Sequence, residues 1–184
     1  MEYGAEAPFL RPQSLSTATA RIDGAVRHAL EFAEQEEGEE YDHVVLLQNS
    51  APLRTSEDID WCVKLLQGQP GADSCASAYL AEHEHPLTSK KLDGDGFLVP
   101  YSDYDPGLYR RQDQPPVYYM NGAVYAVRRN YLIEHTRVIG GRCLPYCMPH
   151  YRSMDVHTKR DLRIAELLLE IEDAETDRLH NGHS

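Results

Sequence analysis

The chain has 184 residues, 41% of them hydrophobic and 26% charged, a balance typical of one globular domain and not of a disordered or fibrous protein. Thirty acidic against 18 basic residues give a formal net charge of −12, and no basic stripe offsets it, which argues against nucleic acid as a partner. No apolar stretch of about 18 residues and no basic leader with an apolar segment is present, so we expect no membrane span, no signal peptide and a cytoplasmic location.

The first part of the chain alternates helical and strand patterns. Residues 17–36 repeat small and apolar side chains at helical spacing, which predicts a helix with one buried face. The apolar run at residues 43–47 suits a strand that is buried on both faces. A second helix follows, capped by Thr55 or Ser56, and then a strand over residues 73–79. This order predicts an α/β fold.

The loop that begins at Gln48 is the first candidate site. In α/β folds ligands bind at the carboxyl ends of the strands, and Gln48 closes the apolar strand. A glutamine in this position can also do no more than cap the strand, so its residue type alone leaves both interpretations open.

Residues 81–117 interrupt the regular pattern with five prolines, several glycines and many charges. A connection of this length inside a compact domain is usually functional, so we predict an arm or a lid. A strand over residues 118–127 follows, and the Asn121-Gly122 pair inside it predicts a bulge or a close backbone approach by a ligand.

The last third contains a short helix over residues 131–138, an extended piece over residues 143–148 and a final helix from Thr158 to about Asp173. Thr158 and Asp161 have the spacing of a capping box. The four cysteines are predicted to be buried thiols. Thiolate and imidazole are the usual ligands of zinc, so a zinc site is an alternative for the cluster Cys143, Cys147, His150 and His157.

Seven segments, in the same order along the chain, resemble the acylneuraminate cytidylyltransferases, or CMP-sialic acid synthetases: residues 3–12, 41–48, 52–60, 71–74, 110–113, 121–125 and 155–162. The resemblance implies a nucleotide-diphospho-sugar transferase-like three-layer α/β sandwich with a mainly parallel sheet. It also implies a homodimer in which residues 81–117 act as a dimerisation arm or lid. Residues 1–184 would then form a single cytidylyltransferase domain that is truncated and lacks the first βα unit.

The resemblance implies an activity, the transfer of CMP from CTP to a nine-carbon sugar acid with release of pyrophosphate. It assigns ligand contacts to Gln48, Asn121, Gly122 and Tyr125, and it assigns the carboxylate of the sugar acid to Arg111, whose guanidinium suits that group. From the residue type alone, Arg111 could equally be a surface cation.

The resemblance also implies a divalent cation. Asp155 resembles the first of two aspartates that hold Mg²⁺ (or Mn²⁺), and His157 stands in the place of the second. Without the resemblance, Asp155 could simply favour the following helix N-terminus by its charge, and His157 could be a helix-start residue.

The chain departs from the family pattern in several places. No Gly-rich, Lys-containing phosphate loop occurs in the 184 residues, Asn-Ser-Ala follows Gln48 where the family has Pro-Thr-Ser, and Ala18 and Arg21 replace an aspartate and a small polar residue. We therefore expect this chain alone to be weak or inactive as an enzyme. The alternative function is a non-catalytic or decayed homologue that acts as a binding or scaffold protein.

Overall fold

The computed structural model describes residues 4–81, 85–101 and 114–181, with side chains as far as Glu172. Within these residues the helices are α1 (Ile22–Glu37), α2 (Ser56–Gly68), α3 (Arg129–His135) and α4 (Lys159–Asn181). The strands are β1 (His43–Leu46), β2 (Ser74–Leu80), β3 (Lys90–Leu92), β4 (Leu98–Pro100), β5 (Tyr118–Arg128) and β6 (Cys143–Cys147).

The main sheet has the strand order β1-β5-β2-β6. Strand β5 runs antiparallel to both of its neighbours, whereas β2 and β6 are parallel. Three of the four strands therefore share one direction and β5 opposes them, which makes the sheet mixed where we predicted a mainly parallel one. The reversal follows from chain order, because β5 returns directly alongside β2 and an antiparallel neighbour needs no helical crossover.

Helices cover both faces of this sheet. On one face α2 packs through Cys62 and Leu66 against Val124 and Ala126 of β5. On the other face Val26 and Leu30 of α1 and Leu132 of α3 pack with Tyr125 and Val127. Because successive residues of a strand point to opposite faces, β5 supplies both cores. The predicted three-layer α/β architecture is confirmed.

The ends of the first elements differ from the prediction. Helix α1 begins at Ile22 and not at residue 17, because a 3-10 turn at Gln13–Leu15 and the extended Arg21 precede it. Strand β1 is half-buried and not fully buried, since it lies at the edge of the described sheet. Helix α2 begins as predicted, with a reciprocal capping box between Thr55 and Asp58.

The capping box predicted at the start of α4 is confirmed. The Thr158 N–H donates to the Asp161 carboxylate at 2.7 Å, and the Asp161 N–H donates to Thr158 Oγ1 at 3.2 Å. Helix α4 continues past the expected end at Asp173 to Asn181. Among the described residues, no helix combines the length and the apolarity that crossing a membrane requires.

The prediction of four buried thiols is half wrong. Cys62 and Cys75 are buried between α2 and β2, where their mutual hydrogen bond and burial raise the pKa of Cys62. Cys143 and Cys147 are exposed. They occupy alternate positions of β6, whose intervening residues Leu144 and Tyr146 pack towards α2, so strand alternation turns both cysteines outwards.

Strands β2 and β5 are connected by the irregular segment that was predicted to be an arm. Its base is closed by the Ala81 N–H, which donates to the Val117 carbonyl at 2.8 Å. Beyond that base, β3 and β4 form a separate two-stranded hairpin. The function of the segment as an arm or lid, and the division of the chain into one domain, stay predictions.

Candidate active site

A bulge of four residues interrupts β5 where it pairs with β2. Ala76 pairs with Tyr125 and Ala78 pairs with Met120, so residues 121–124 lie opposite the single residue Ser77. Gly122 adopts a φ of 74°, which L side chains rarely tolerate. The bulge predicted from the Asn121-Gly122 pair is therefore present.

Asn121 stabilises the bulge through buried side-chain hydrogen bonds. Its side-chain oxygen accepts hydrogen bonds from the Ser77 hydroxyl at 2.6 Å and from the Ala123 N–H at 3.2 Å. Its amide nitrogen donates to Ser153 Oγ at 2.9 Å. Asn121 is only 5% exposed, so its polar atoms serve the fold, and a contact with sugar stays a prediction.

Gln48, Gly122 and Tyr125 meet at the outer side of the bulge. A Cβ placed on Gly122 would lie 2.9 Å from Gln48 Oε1 and 3.8 Å from the Tyr125 hydroxyl oxygen. The absence of a side chain at Gly122 is thus what gives the Gln48 amide its position beside Tyr125. Three residues that the sequence predicted as ligand contacts lie in one place.

Asp155 is near enough to this group for its charge to act on Tyr125. Burial raises the pKa of the Tyr125 phenol, and the negative charge of Asp155 raises it further, so the hydroxyl stays protonated as a hydrogen-bond donor. The segment that carries Asp155 is fixed to the loop after Gln48, because the Val156 N–H donates to the Ser50 carbonyl at 2.7 Å. The loops after β1 and before α4 therefore form one edge of the site.

His157 is the immediate partner of Asp155. Its Nε2 lies 2.8 Å from Asp155 Oδ2, and both side chains are exposed. Asp161 is not available as a further ligand, since its carboxylate caps α4. In the described part of the chain no three His, Cys, Asp or Glu residues are grouped as metal ligands. The alternative zinc cluster is therefore not assembled in that part.

The sequence did not reveal the role of Arg54. Its Nη1 donates to the carbonyls of Gln48 and Ala51, the latter at 3.0 Å, and so fixes the turn that carries Gln48. Burial lowers the pKa of Arg54 from its ordinary value, although the group stays charged at neutral pH. The motif at residues 52–60 contained this arginine, but only the folded loop shows what it contacts.

A cleft of about 360 Å³ opens beside Gln48 and Tyr125. Two arginines, Arg21 and Arg137, line it. Arg21 was noted in the sequence only as a departure from the family pattern, and no signal singled out Arg137. Arg111, predicted to bind a carboxylate, lies outside the described residues.

The comparison with protein families gave no matching family model. Curated proteins align with most of the chain, among them the following three. The "Post-translational flagellin modification protein B" of Campylobacter coli is 29% identical over 171 residues, which cover 92% of this chain and 70% of that protein. A pseudaminic acid cytidylyltransferase of Campylobacter jejuni is 27% identical over 172 residues, covering 93% and 72%. An N-acylneuraminate cytidylyltransferase of Streptococcus agalactiae is 29% identical over 161 residues, covering 88% of this chain but 37% of that longer protein.

Among solved structures, that of CMP:2-keto-3-deoxy-manno-octonic acid synthetase complexed with CTP superposes with a TM-score of 0.53. It covers 84% of this chain and 70% of that one at 15% identity, which supports the fold alone. The relationship beyond the fold is supported by the sequence relatives, because their alignments include the segments that form the site. The resemblance found in the sequence is confirmed, and this chain is a homologue of the acylneuraminate and pseudaminic acid cytidylyltransferases.

Proposed function

We propose that this protein is a cytidylyltransferase that transfers CMP from CTP to a sialic-acid-like sugar acid and releases pyrophosphate. The observation that carries the proposal is the convergence of Gln48, Gly122 and Tyr125 beside Asp155. Segments distant in sequence, the loop after β1, the bulge of β5 and the loop before α4, supply these residues to one edge of the sheet.

The chain's own groups would act by binding and orientation. The Gln48 amide can donate and accept hydrogen bonds, and the protonated Tyr125 hydroxyl can donate one. Gly122 has no side chain, so the Gln48 amide can lie against the backbone of the bulge, next to the Tyr125 hydroxyl. Arg54 and Asn121 hold the two backbone segments that carry these groups, and such preorganisation lowers the cost of aligning the reactants.

The resemblance assigns a divalent cation to Asp155 and His157, and of these two only Asp155 has the ligand chemistry that Mg²⁺ prefers. Mg²⁺ is usually bound by one or two carboxylates together with substrate phosphates, and the exposed Asp155 carboxylate suits that arrangement. His157 is a softer ligand, and its Nε2 is hydrogen-bonded to Asp155, so we assign it the orientation of that carboxylate. A bound Mg²⁺ (or Mn²⁺) would neutralise charge on the phosphate oxygens.

A homodimer is part of the same proposal. The β3–β4 hairpin exposes four large apolar or aromatic side chains, each more than 60% accessible: Leu92, Phe97, Leu98 and Tyr101. Exposed apolar groups on a separate two-stranded hairpin within the β2–β5 connection favour burial against another chain. A second copy is the partner that the family resemblance implies. The cytoplasmic location predicted from the sequence stays a prediction.

The test is pyrophosphate release by the purified chain with CTP, Mg²⁺ and N-acetylneuraminic acid as the acceptor probe. We expect weak release from these 184 residues, since no Gly-rich phosphate loop occurs among them. Asp155→Asn should reduce the rate by more than about 100-fold, because loss of a metal ligand costs several kcal/mol of transition-state stabilisation.

The matched control is Asp60→Asn, which changes an exposed aspartate on α2 and should leave the rate unchanged. Binding of CTP and the sugar acid without pyrophosphate release would support the alternative of a non-catalytic homologue. Absence of both binding and release would refute the proposed function.

A further inference from the structure

Helix α4 exposes a large amount of apolar surface. Five large aliphatic side chains of its first half are between 42% and 54% exposed: Leu162, Ile164, Leu167, Leu169 and Ile171. Within residues 159–172, whose side chains the structure describes, only Ala165 is buried. The helix therefore rests on the body of the protein with one narrow side, and the body leaves much of its apolar surface uncovered.

The five exposed side chains fall on two sides of the helix. Successive residues of an α-helix are about 100° apart around its axis, so Leu162 and Leu169 lie within about 60° of Ala165 and border the packed side. The other three lie about 100–160° from Ala165 and within about 60° of one another. These three residues are named the α4 stripe: Ile164, Leu167 and Ile171.

Charges of opposite sign flank the α4 stripe. Arg163 precedes Ile164, and Glu170 precedes Ile171 one heptad later, so both charges lie on the same flank of the stripe and both are exposed. Arg163 Nη1 donates to Glu166 Oε2 at 3.0 Å, which leaves other N–H groups of the guanidinium free. Glu170 forms no hydrogen bond or ion pair with any residue that the structure describes.

The pattern of charges is self-complementary for an antiparallel pair of helices. In such a pair the same flank of each helix faces its counterpart, so Arg163 of one copy lies opposite Glu170 of the second copy, and two-fold symmetry repeats the contact. Ile164 then packs beside Leu167 of the second copy near the symmetry axis. A parallel pair would place Arg163 opposite Leu168, without an ion pair.

We propose that two copies of this chain pack their α4 stripes against each other as an antiparallel helix pair, with Arg163 of each copy beside Glu170 of the other. Burial of the stripe supplies the free energy, and the two ion pairs set the direction. A stable interface buries about 800 Å² on each partner, and one stripe supplies only part of that area, so we expect a dissociation constant in the micromolar range.

This contact is separate from the proposed function and from the β3–β4 hairpin, which is a different part of the fold. Sedimentation velocity of the 20.9 kDa chain measures the association, at concentrations from about 1 to 200 μM that bracket a micromolar Kd. Leu167→Lys places two like charges near the symmetry axis and should weaken the association at least about 10-fold. Phe97→Ser, on the hairpin, measures the other candidate contact.

Exchange of the flanking charges tests the direction of the pair. Arg163→Glu and Glu170→Arg should each weaken the association by about 10-fold, because like charges then face each other twice. An equimolar mixture of the two variants should associate as the wild type does, since each supplies the charge that the other lacks. The double variant, with both changes in one chain, should do the same.

Glu166→Gln is the matched control. It removes the ion pair that Arg163 forms within its own helix but changes no charge in the proposed contact, so the association should equal that of the wild type. At concentrations where the wild type is monomeric, all variants should keep its thermal unfolding midpoint, because the changed side chains are exposed.

Three results would overturn the helix pair. The first is an association that Leu167→Lys leaves unchanged; if Phe97→Ser weakens it instead, the hairpin is the contact between the copies. The second is a mixture of the two charge variants that associates no better than either variant alone. The third is a wild type that stays monomeric up to about 200 μM, well above a micromolar Kd. Pyrophosphate release tests the proposed function separately, so either proposal can fail while the other stands.

Discussion

Two buried polar clusters support the sheet, and they differ in charge. The cluster around Asn121 is neutral and lies against the bulge that forms the candidate site. The cluster around Asp58 is ionic: Arg152 and the Tyr146 hydroxyl both donate to its carboxylate, which is 0% exposed as a residue. It joins α2 to β6 and to the 3-10 turn at His150–Arg152.

The two clusters hold different parts of the molecule in place. The ionic cluster ties three elements together away from the cleft, where a strong charge does not compete with a ligand. The neutral cluster shapes the bulge without adding charge next to Gln48 and Tyr125. We infer that the first cluster determines mainly stability and that the second determines mainly the geometry of the site.

The largest expected effect comes from breaking the ionic cluster. Asp58→Ala should lower the free energy of unfolding by about 3–5 kcal/mol, because it leaves Arg152, whose side chain is 14% exposed, without its partner and also removes the capping box with Thr55. Urea denaturation would measure the loss. The double variant Asp58→Ala with Arg152→Met should recover part of it, and a double variant no more stable than the single one would contradict this account.

A smaller effect is expected at the bulge. Gly122→Ala should cost about 2 kcal/mol, in part for the left-handed backbone and in part because its Cβ would meet Gln48 Oε1. Displacing Gln48 should also weaken ligand binding. Urea denaturation and probe titration would measure the two effects.

Gly38→Ala is the control for that variant. Gly38 has nearly the same φ, 72° against 74°, but nothing lies within 4 Å of an added Cβ. Gly38→Ala should carry only the backbone cost, about 1 kcal/mol, and leave binding intact. Equal losses of binding in the two variants would show that the Gln48 contact has no role.

Much of the fold could be predicted from the sequence because the patterns are local. The cap of α2 at Thr55, the capping box at Thr158, the β5 strand and the bulge at Gly122 all follow from residue types in local sequence. The exposure of Cys143 was missed because strand alternation matters only once the covered face of β6 is known. The direction of β5 is equally a property of the assembled sheet.

The candidate site could be predicted only in part. Gln48 was found from its place at the end of a strand and Tyr125 through the resemblance, and their proximity needed the folded chain. Asn121 was predicted to contact ligand, yet its side-chain partners lie 44 and 32 residues away along the chain, and no local pattern shows such bonds. Arg137 gave no signal, because a single exposed arginine after a helix is ordinary in sequence and acquires meaning only beside a cleft.

The smallest effect concerns the pH dependence of the ionic cluster. Burial and the hydrogen bond to Asp58 raise the pKa of Tyr146 to about 12, above the value near 10 of an unfolded tyrosine. The unfolded chain therefore loses this proton first, so the contribution of Tyr146 to stability is complete below about pH 10 and is lost as the pH rises towards 12.

Tyr146→Phe should lower the free energy of unfolding by about 1 kcal/mol at pH 7, since Asp58 keeps its other donors, and by less at higher pH. Urea denaturation across this range would show the wild-type and variant curves converging, whereas Tyr118→Phe, which removes an exposed hydroxyl, should follow the wild type. A constant gap between Tyr146→Phe and the wild type from pH 7 to pH 11 would show that Tyr146 is not coupled to the buried carboxylate.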